Sequence, residues 1–434
     1  MSVSSNQQSS CSKNTNSENS SKEFKISAEA FDISSELTAR IKTKIRENGY
    51  PINFETFMQM ALYEPQLGYY QNNLHKFGEK GDFITAPEMG SLFAECIADS
   101  IANSLKCANR LNDVDANSIL EIGAGSGQLA VDLIKALNHQ NSLPEQYFIL
   151  EPSATLQSQQ KQLIENELVE MGYAEFLNRV EWLAKLPTDF KGVIFANEVI
   201  DAIPCQIIEK TEQGWFYQGV DLVDDELSTC LTVKVESCDL PIQLTDKNNR
   251  EVFEIGYQTE IRKQASGWLL SLSKCLAKGH ILLIDYGYPA SELYHPQRLQ
   301  GSLTCFINHH QHSDYIKAIG LQDITAHVDF TNIAIEASQH GLSIDGFTTQ
   351  AGFLLENGII EKAEALLSAN EEQTLDVDRY KISQQIQKLM MPGQMGEVLK
   401  VMSLSRDVQN DEISVKNTKT PLKGFSMQDH LHRL

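Results

Sequence analysis

Short apolar runs alternate with helical segments from residue 118 onward, and that alternation leaves few architectures open. The runs "SILEIG" (118–123), "YFILEP" (147–152), "KGVIFANE" (191–198) and "GHILLIDYG" (279–287) read as strands. Between them, "GQLAVDLIKAL" (127–137), "ATLQSQQKQLIENEL" (154–168) and "TEIRKQASGWLLSLSKCL" (259–276) read as helices. Strands with no wet face, each feeding a helix, predict βαβ units and a parallel sheet covered on both sides. The expected class is α/β.

The rhythm breaks over 206–255, where "CQIIEKTEQGWFYQGVDL" and "CLTVKVES" read as added β-hairpins. Their turn falls at Gln213-Gly214, and the acidic segment 221–226 reads as a loop. Upstream, residues 33–107 are mostly helical, with Asn53 as a helix N-cap and Pro65 as a stop. Residues 1–22 hold fifteen Ser, Asn or Gln and little to bury, so a disordered tail is expected over 1–28. The expected layout is this tail, a helical subdomain over 33–107, a core over 108–300 carrying the insertion, and a C-terminal extension over 301–434.

The first strand runs into "EIGAGSGQLAVDLI", with Gly123, Gly125 and Gly127 in five positions. Such a turn lets bare main chain approach a ligand, and the following helix offers free N–H donors. The spacing is G-x-G-x-G and lacks the third glycine of the dinucleotide fingerprint. Glu121 stands just before the turn, and Glu151 closes the second strand, where an acid can accept from ribose hydroxyls. Together these fit S-adenosylmethionine (SAM) better than a dinucleotide. A plain strand-to-helix turn and NAD binding stay as alternatives.

The fourth strand ends in "FANEVIDAIP". Glu198 and Asp201 would share one side of this turn if it is helical. Paired carboxylates could grip a guanidinium fork and localise its charge. A capping role is the alternative. The loop "GEKGDFITAPE" places Asp82, Thr85 and Glu88 on a segment able to close over a cofactor, with Thr85 and Glu88 as candidate substrate contacts, or it is a plain connector. "DYGYP" adds Asp285, Tyr286 and Tyr288 at the same sheet edge, with Asp285 and Tyr286 as candidate substrate contacts; helix-start chemistry and core packing are the competing roles.

A net charge of -22 disfavours nucleic acid and anionic membranes as partners. The eight cysteines form no C-x-x-C pair, and the His309, His310, His312 cluster lacks a second ligand group, so no metal site is expected. The N-terminus has neither an apolar signal core nor an Arg-rich import helix, and a cytoplasmic protein without membrane insertion is expected.

The stretches "LGYYQNNLHKFGEKGDFITAPEMGSLF", "EIGAGSGQLAVDLI", "ANEVIDAIP", "LLIDYGY", "HVDFTNIA" and "LMMPGQMGE" resemble the MidA-type SAM-dependent methyltransferase family, in order from about 50 to 405. The resemblance implies a Rossmann-like methyltransferase core with helical N-terminal and β-hairpin additions, and SAM as cofactor. It puts Gly81, Asp82, Glu121, Gly123, Gly125 and Glu151 on the cofactor side, and Asn197, Glu198 and Asp201 toward the acceptor. It also implies a protein arginine acceptor, symmetric dimethylation and, for mitochondrial members, a subunit of respiratory complex I. The turn departs from the family's common G-P-G-R-G, with Ala124 and Ser126 replacing its Pro and Arg. A SAM-binding assembly factor with lapsed catalysis and a small-molecule methyltransferase are the alternatives; homodimerisation is left open.

Overall fold

The computed structural model describes residues 26–74, 86–110, 117–245, 252–368, 376–406 and 422–434. Its central sheet carries β1 (Ser118–Ile122), β2 (Gln146–Leu150), β3 (Val180–Leu183), β4 (Phe190–Asn197), β5 (Leu276–Tyr288), β6 (Ser343–Thr349) and β7 (Leu399–Arg406). Across the sheet they run β3-β2-β1-β4-β5-β7-β6. The first five in that order are mutually parallel, and β7 is antiparallel to both its neighbours. A short strand, Val328–Asp329, adds to the end of β5. The α/β class read from the alternation is the one observed.

Burial on both faces follows the strand period of two. Ile119, Val193, Leu282 and Ile284 face a core shared with α3 (Leu92–Arg110), α4 (Gln128–His139) and α5 (Ala154–Glu170). Leu120, Ile194, Ile281 and Leu283 face the opposite core with α6 (Lys263–Cys275) and α7 (Phe330–Gln339). The strand order reverses between β1 and β4. Their carboxyl ends diverge there and leave the crevice where such sheets hold ligands.

A second sheet is antiparallel. It joins Gln206–Thr211, Gly214–Val223, Glu226–Lys234 and Gln258–Ile261 to the distant strand Ile52–Asn53. The hairpin turn expected at Gln213-Gly214 falls one residue earlier, at Glu212-Gln213, and Gly214 opens the next strand. The acidic segment 221–226 differs: its first three residues complete a strand, and only Asp224 and Asp225 turn, both left-handed at φ 51° and 67°. That conformation suits a two-residue hairpin. The helix expected over 259–276 likewise begins at Lys263, because Thr259–Ile261 pairs with Gln206–Ile208.

Helices of the 33–107 stretch pack in two places. Those over Ala28–Asn48 and Phe54–Tyr63 place Leu37, Ile41, Phe54 and Phe57 against Ile207 and Val220 of the antiparallel sheet. In contrast, α3 lies on the central sheet. Asn53 caps its helix through a side-chain bond from Thr56 N–H at 2.8 Å, and that helix ends two residues before Pro65. The tail expected over 1–28 falls outside the described residues as far as 25; Ser27 already caps the first helix. Among the described residues no helix is long and apolar enough to cross a membrane.

Arg406, at the end of β7, fastens two helix ends to the sheet. Its guanidinium donates to the carbonyls of Ser273, Leu276 (3.0 Å) and His340 (2.6 Å), at the C-termini of α6 and α7. A cation at two such ends offsets both dipoles and satisfies carbonyls the helices leave open. Arg406→Leu should lower stability by about 2 kcal/mol or more, read as a fall in the urea midpoint; an unchanged midpoint would contradict this role.

Candidate active site

A cavity of about 430 Å³ opens at the carboxyl ends of β1 and β4, a size suited to a cofactor. A larger groove of about 640 Å³ between the first two helices is lined by solvated side chains such as Glu36, Arg40 and Glu64, and by none of the sequence candidates.

Gly123, Gly125 and Gly127 are all left-handed, at φ 67°, 55° and 91°. This folds bare main chain along the cavity and starts α4 with Gly127 as N-cap, while the Ser126 hydroxyl accepts from Gln128 N–H at 3.2 Å. Gln160 of α5 fixes the turn: its Nε2 donates to Gly125 O (2.9 Å) and Glu151 Oε2 (3.1 Å). Trp182 Nε1 donates to Gln160 Oε1 at 2.9 Å and completes the tie. Glu151 Oε1 also accepts from Ser153 N–H at 2.9 Å. Burial raises the Glu151 carboxyl, and these donors pull it back. Glu121, 2% exposed, accepts from Tyr147 OH at 2.8 Å and is pushed up to about 8 by burial. Both acids line the cavity, as do Leu150, Ala184 and Trp268.

Glu88 was expected toward a substrate; it lines the same cavity but meets the glycine turn, accepting from the Ser126 hydroxyl. Gly81, Asp82 and Thr85 lie outside the described residues.

The other end of the cavity is built by the chain leaving β4. It does not continue as a helix. Residues 198–203 form bends and turns, and Glu198 is left-handed at φ 52°, an uncommon conformation for a side chain with a Cβ. Its N–H donates to Ile284 O at 2.8 Å. The next three N–H groups converge on Asp285 Oδ2, at 3.1 Å from Val199, 2.7 Å from Ile200 and 3.4 Å from Asp201. Asp285 Oδ1 accepts from Tyr286 N–H at 2.8 Å. Asp285, 1% exposed, therefore holds the loop from behind, and it does not reach the cavity wall. Tyr286 is also off the wall, its ring parallel to His327 at 6.4 Å.

Asn197 and Glu198 line the cavity. Asn197 Nδ2 donates to Glu198 Oε1 at 3.3 Å, and its buried Oδ1 has no partner among the described residues. Burial, then the charge of Asp201, pushes the Glu198 carboxyl up to about 8. Asp201, 6% exposed, is raised to about 6 by burial against the pull of Arg262. That guanidinium donates to main-chain carbonyls: Ile203 (2.9 Å), Asp201 (2.9 Å), Ala326 (2.7 Å) and His327 (3.2 Å). Tyr63 and Tyr70 close this end, donating to Ala202 O (3.0 Å) and Asp323 Oδ1 (2.8 Å).

Of the sequence candidates, Glu88, Glu121, Gly123, Gly125, Glu151, Asn197 and Glu198 share one cavity wall, whereas Asp201, Asp285 and Tyr286 lie behind it and Gly127, expected on the cofactor, packs against Gln160. Gln160, Arg262, Tyr63 and Tyr70 were not among those candidates. Tyr70 sits in the quoted "LGYY" stretch, which was a usable signal; no spacing rule ties the others to strand ends far away in sequence.

Residues 96–348 match a family described as S-adenosyl-L-methionine-dependent methyltransferases. The chain is similar to the protein arginine methyltransferase NDUFAF7, mitochondrial, of Danio rerio, 25% identical with 93% of this chain and 95% of that protein covered. The Homo sapiens protein of the same name is 27% identical, with 82% and 80% covered. Among solved structures, a COG1565 superfamily member from Burkholderia thailandensis bound to S-adenosyl-homocysteine superposes with a TM-score of 0.82. It is 31% identical, with 94% of this chain and 99% of that chain covered.

Asp285→Ala would strand three buried N–H groups and release the left-handed turn. The expected loss is at least about 2 kcal/mol, with faster hydrogen exchange at residues 198–203 than in β4. Unchanged exchange there would show the loop holds itself.

Proposed function

The chain belongs to this family of S-adenosyl-L-methionine-dependent methyltransferases, with SAM as its cofactor, and from that premise we propose that it methylates arginine side chains of a protein. The residues present suit the cofactor. Bare glycine main chain borders the cavity, and Glu151 can accept from ribose hydroxyls. Gly123 and Gly125 would hold its amino-acid portion, beside Glu121. When bound, SAM supplies an electrophilic methyl group on a sulfonium.

The observation that carries the arginine reading is the buried Glu198 carboxylate on the cavity wall at the far end, with Asp201 behind it. Glu198 and Asp201 are both raised by burial, and the cation beside Asp201, Arg262, makes its hydrogen bonds to main-chain carbonyls. Burying like charges together is costly unless a cation joins them. A guanidinium fits that need: Glu198 would hold two of its nitrogens and draw charge away from the third, leaving a lone pair there for transfer. With the N–C bond formed, the methyl–sulfur bond would break to leave a neutral thioether, and the proton this nitrogen gives up would pass to solvent, since Glu198 is engaged with the other two nitrogens. The names of the relatives support the same acceptor. Symmetric dimethylation and a respiratory-complex subunit as acceptor are finer parts of this reading, drawn from the family resemblance.

Incubating the protein with methyl-labelled SAM and lysate from cells lacking it should put label on arginine in protein. Label confined to the small-molecule fraction would overturn the protein acceptor. The groups acting on Glu198 are Asp201, Asp323, Asp285 and Tyr286, with Tyr63 and Tyr70 lining the same cavity, and its raised carboxyl works only when ionised. Hence kcat/KM should rise as pH increases through about 8. Glu198→Gln should remove that limb and slow transfer by about 100-fold or more, while sparing S-adenosyl-homocysteine binding. A mutant as fast as the parent would reduce Glu198 to a structural role.

A further inference from the structure

We propose that Tyr63 and Tyr70 form an aromatic wall that selects a planar cation at the acceptor end, an inference that rests on the arginine reading. The wall is built locally. Tyr63 is the last residue of the helix Phe54–Tyr63, and the chain then folds back so that Tyr69 N–H meets Ala61 O and Tyr70 N–H meets Leu62 O, both at 2.9 Å. The Tyr63 and Tyr70 rings stack with centroids 5.5 Å apart and planes 26° from parallel. Tyr69 braces Tyr70 edge-on at 5.0 Å.

Both hydroxyls are committed, one to Ala202 O in the Glu198 loop and the other to Asp323. What the pair can offer the cavity is therefore ring surface. That surface shares the cavity with Glu198 and the unpartnered Asn197 Oδ1. A ring face attracts a cation through its quadrupole, and a weakly hydrated planar guanidinium gives up less on stacking than an ammonium. Ring face, carboxylate and amide oxygen together define a guanidinium seat. A neutral urea of the same shape would lose the charge-dependent part of each contact.

The test loads the protein with S-adenosyl-homocysteine and titrates N-acetyl-arginine methylamide and its citrulline counterpart, the neutral isostere. Arginine should bind and citrulline at least about tenfold more weakly. Tyr63→Leu and Tyr70→Leu should each weaken arginine binding by about three- to thirty-fold, and the Phe variants should keep most of it. In the parent, the arginine side-chain methylene protons next to the guanidinium should shift upfield on binding. Leu variants with undiminished arginine affinity, or no upfield shift, would overturn the inference while leaving the arginine reading intact. So would a loss of SAM affinity with S-adenosyl-homocysteine affinity unchanged, which would assign the rings to the sulfonium. Loss of affinity for both cofactor forms would likewise assign them to the cofactor. No arginine binding to the parent would overturn both readings.

Discussion

The carboxylate of Asp285 on the main chain of 199–201 is the contact from which the rest of the site takes its shape. A chain leaving a parallel strand normally enters a helix, and here it is diverted instead. The diversion costs an unfavourable backbone conformation at Glu198 and would leave consecutive N–H groups unpaired. One buried acid on the neighbouring strand meets those groups at once, and the register that places Ile284 opposite Asn197 puts it at the right height. Glu198 is thus presented to the cavity by a strand pairing, and a mobile loop is not what aims it.

Such an arrangement concentrates negative charge. Asp285, Asp201 and Glu198 all have raised carboxyls, and for each the first cause is burial. Arg262 relieves part of this and at the same time stitches 201–203 to 326–327. The cofactor end is handled differently. There Glu151 and Glu121 are each met by neutral donors, from Gln160, Ser153 and Tyr147, so the ligand need not bring charge to satisfy them. The two ends of one cavity suit partners of different polarity.

Much of this was legible in order along the chain. Glu121, the glycine turn and Glu151 follow strand ends directly, and a strand end is where an apolar run stops. The class of fold followed from the same runs. What could not be read has a common cause. Left-handed Glu198 has no propensity signal, since tertiary donors impose it. Thr259–Ile261 merges with the helix pattern after it, and only pairing with Gln206–Ile208 makes it a strand. Asp285 was placed correctly at the sheet edge, but the direction of its side chain depends on which neighbour needs an acceptor. Tyr63 and Arg262 arrive by packing between segments far apart in sequence, and local pattern carries no trace of that.

The pairing of Ile52 with Val220 also bears on how the chain is made. The ribosome releases the first two helices long before the strands that cover them. At roughly 5–20 residues per second, the faces of Leu37, Ile41, Phe54 and Phe57 wait on the order of ten seconds for their sheet. During synthesis those faces are exposed apolar surface, the kind of surface from which aggregation starts until the later strands cover it.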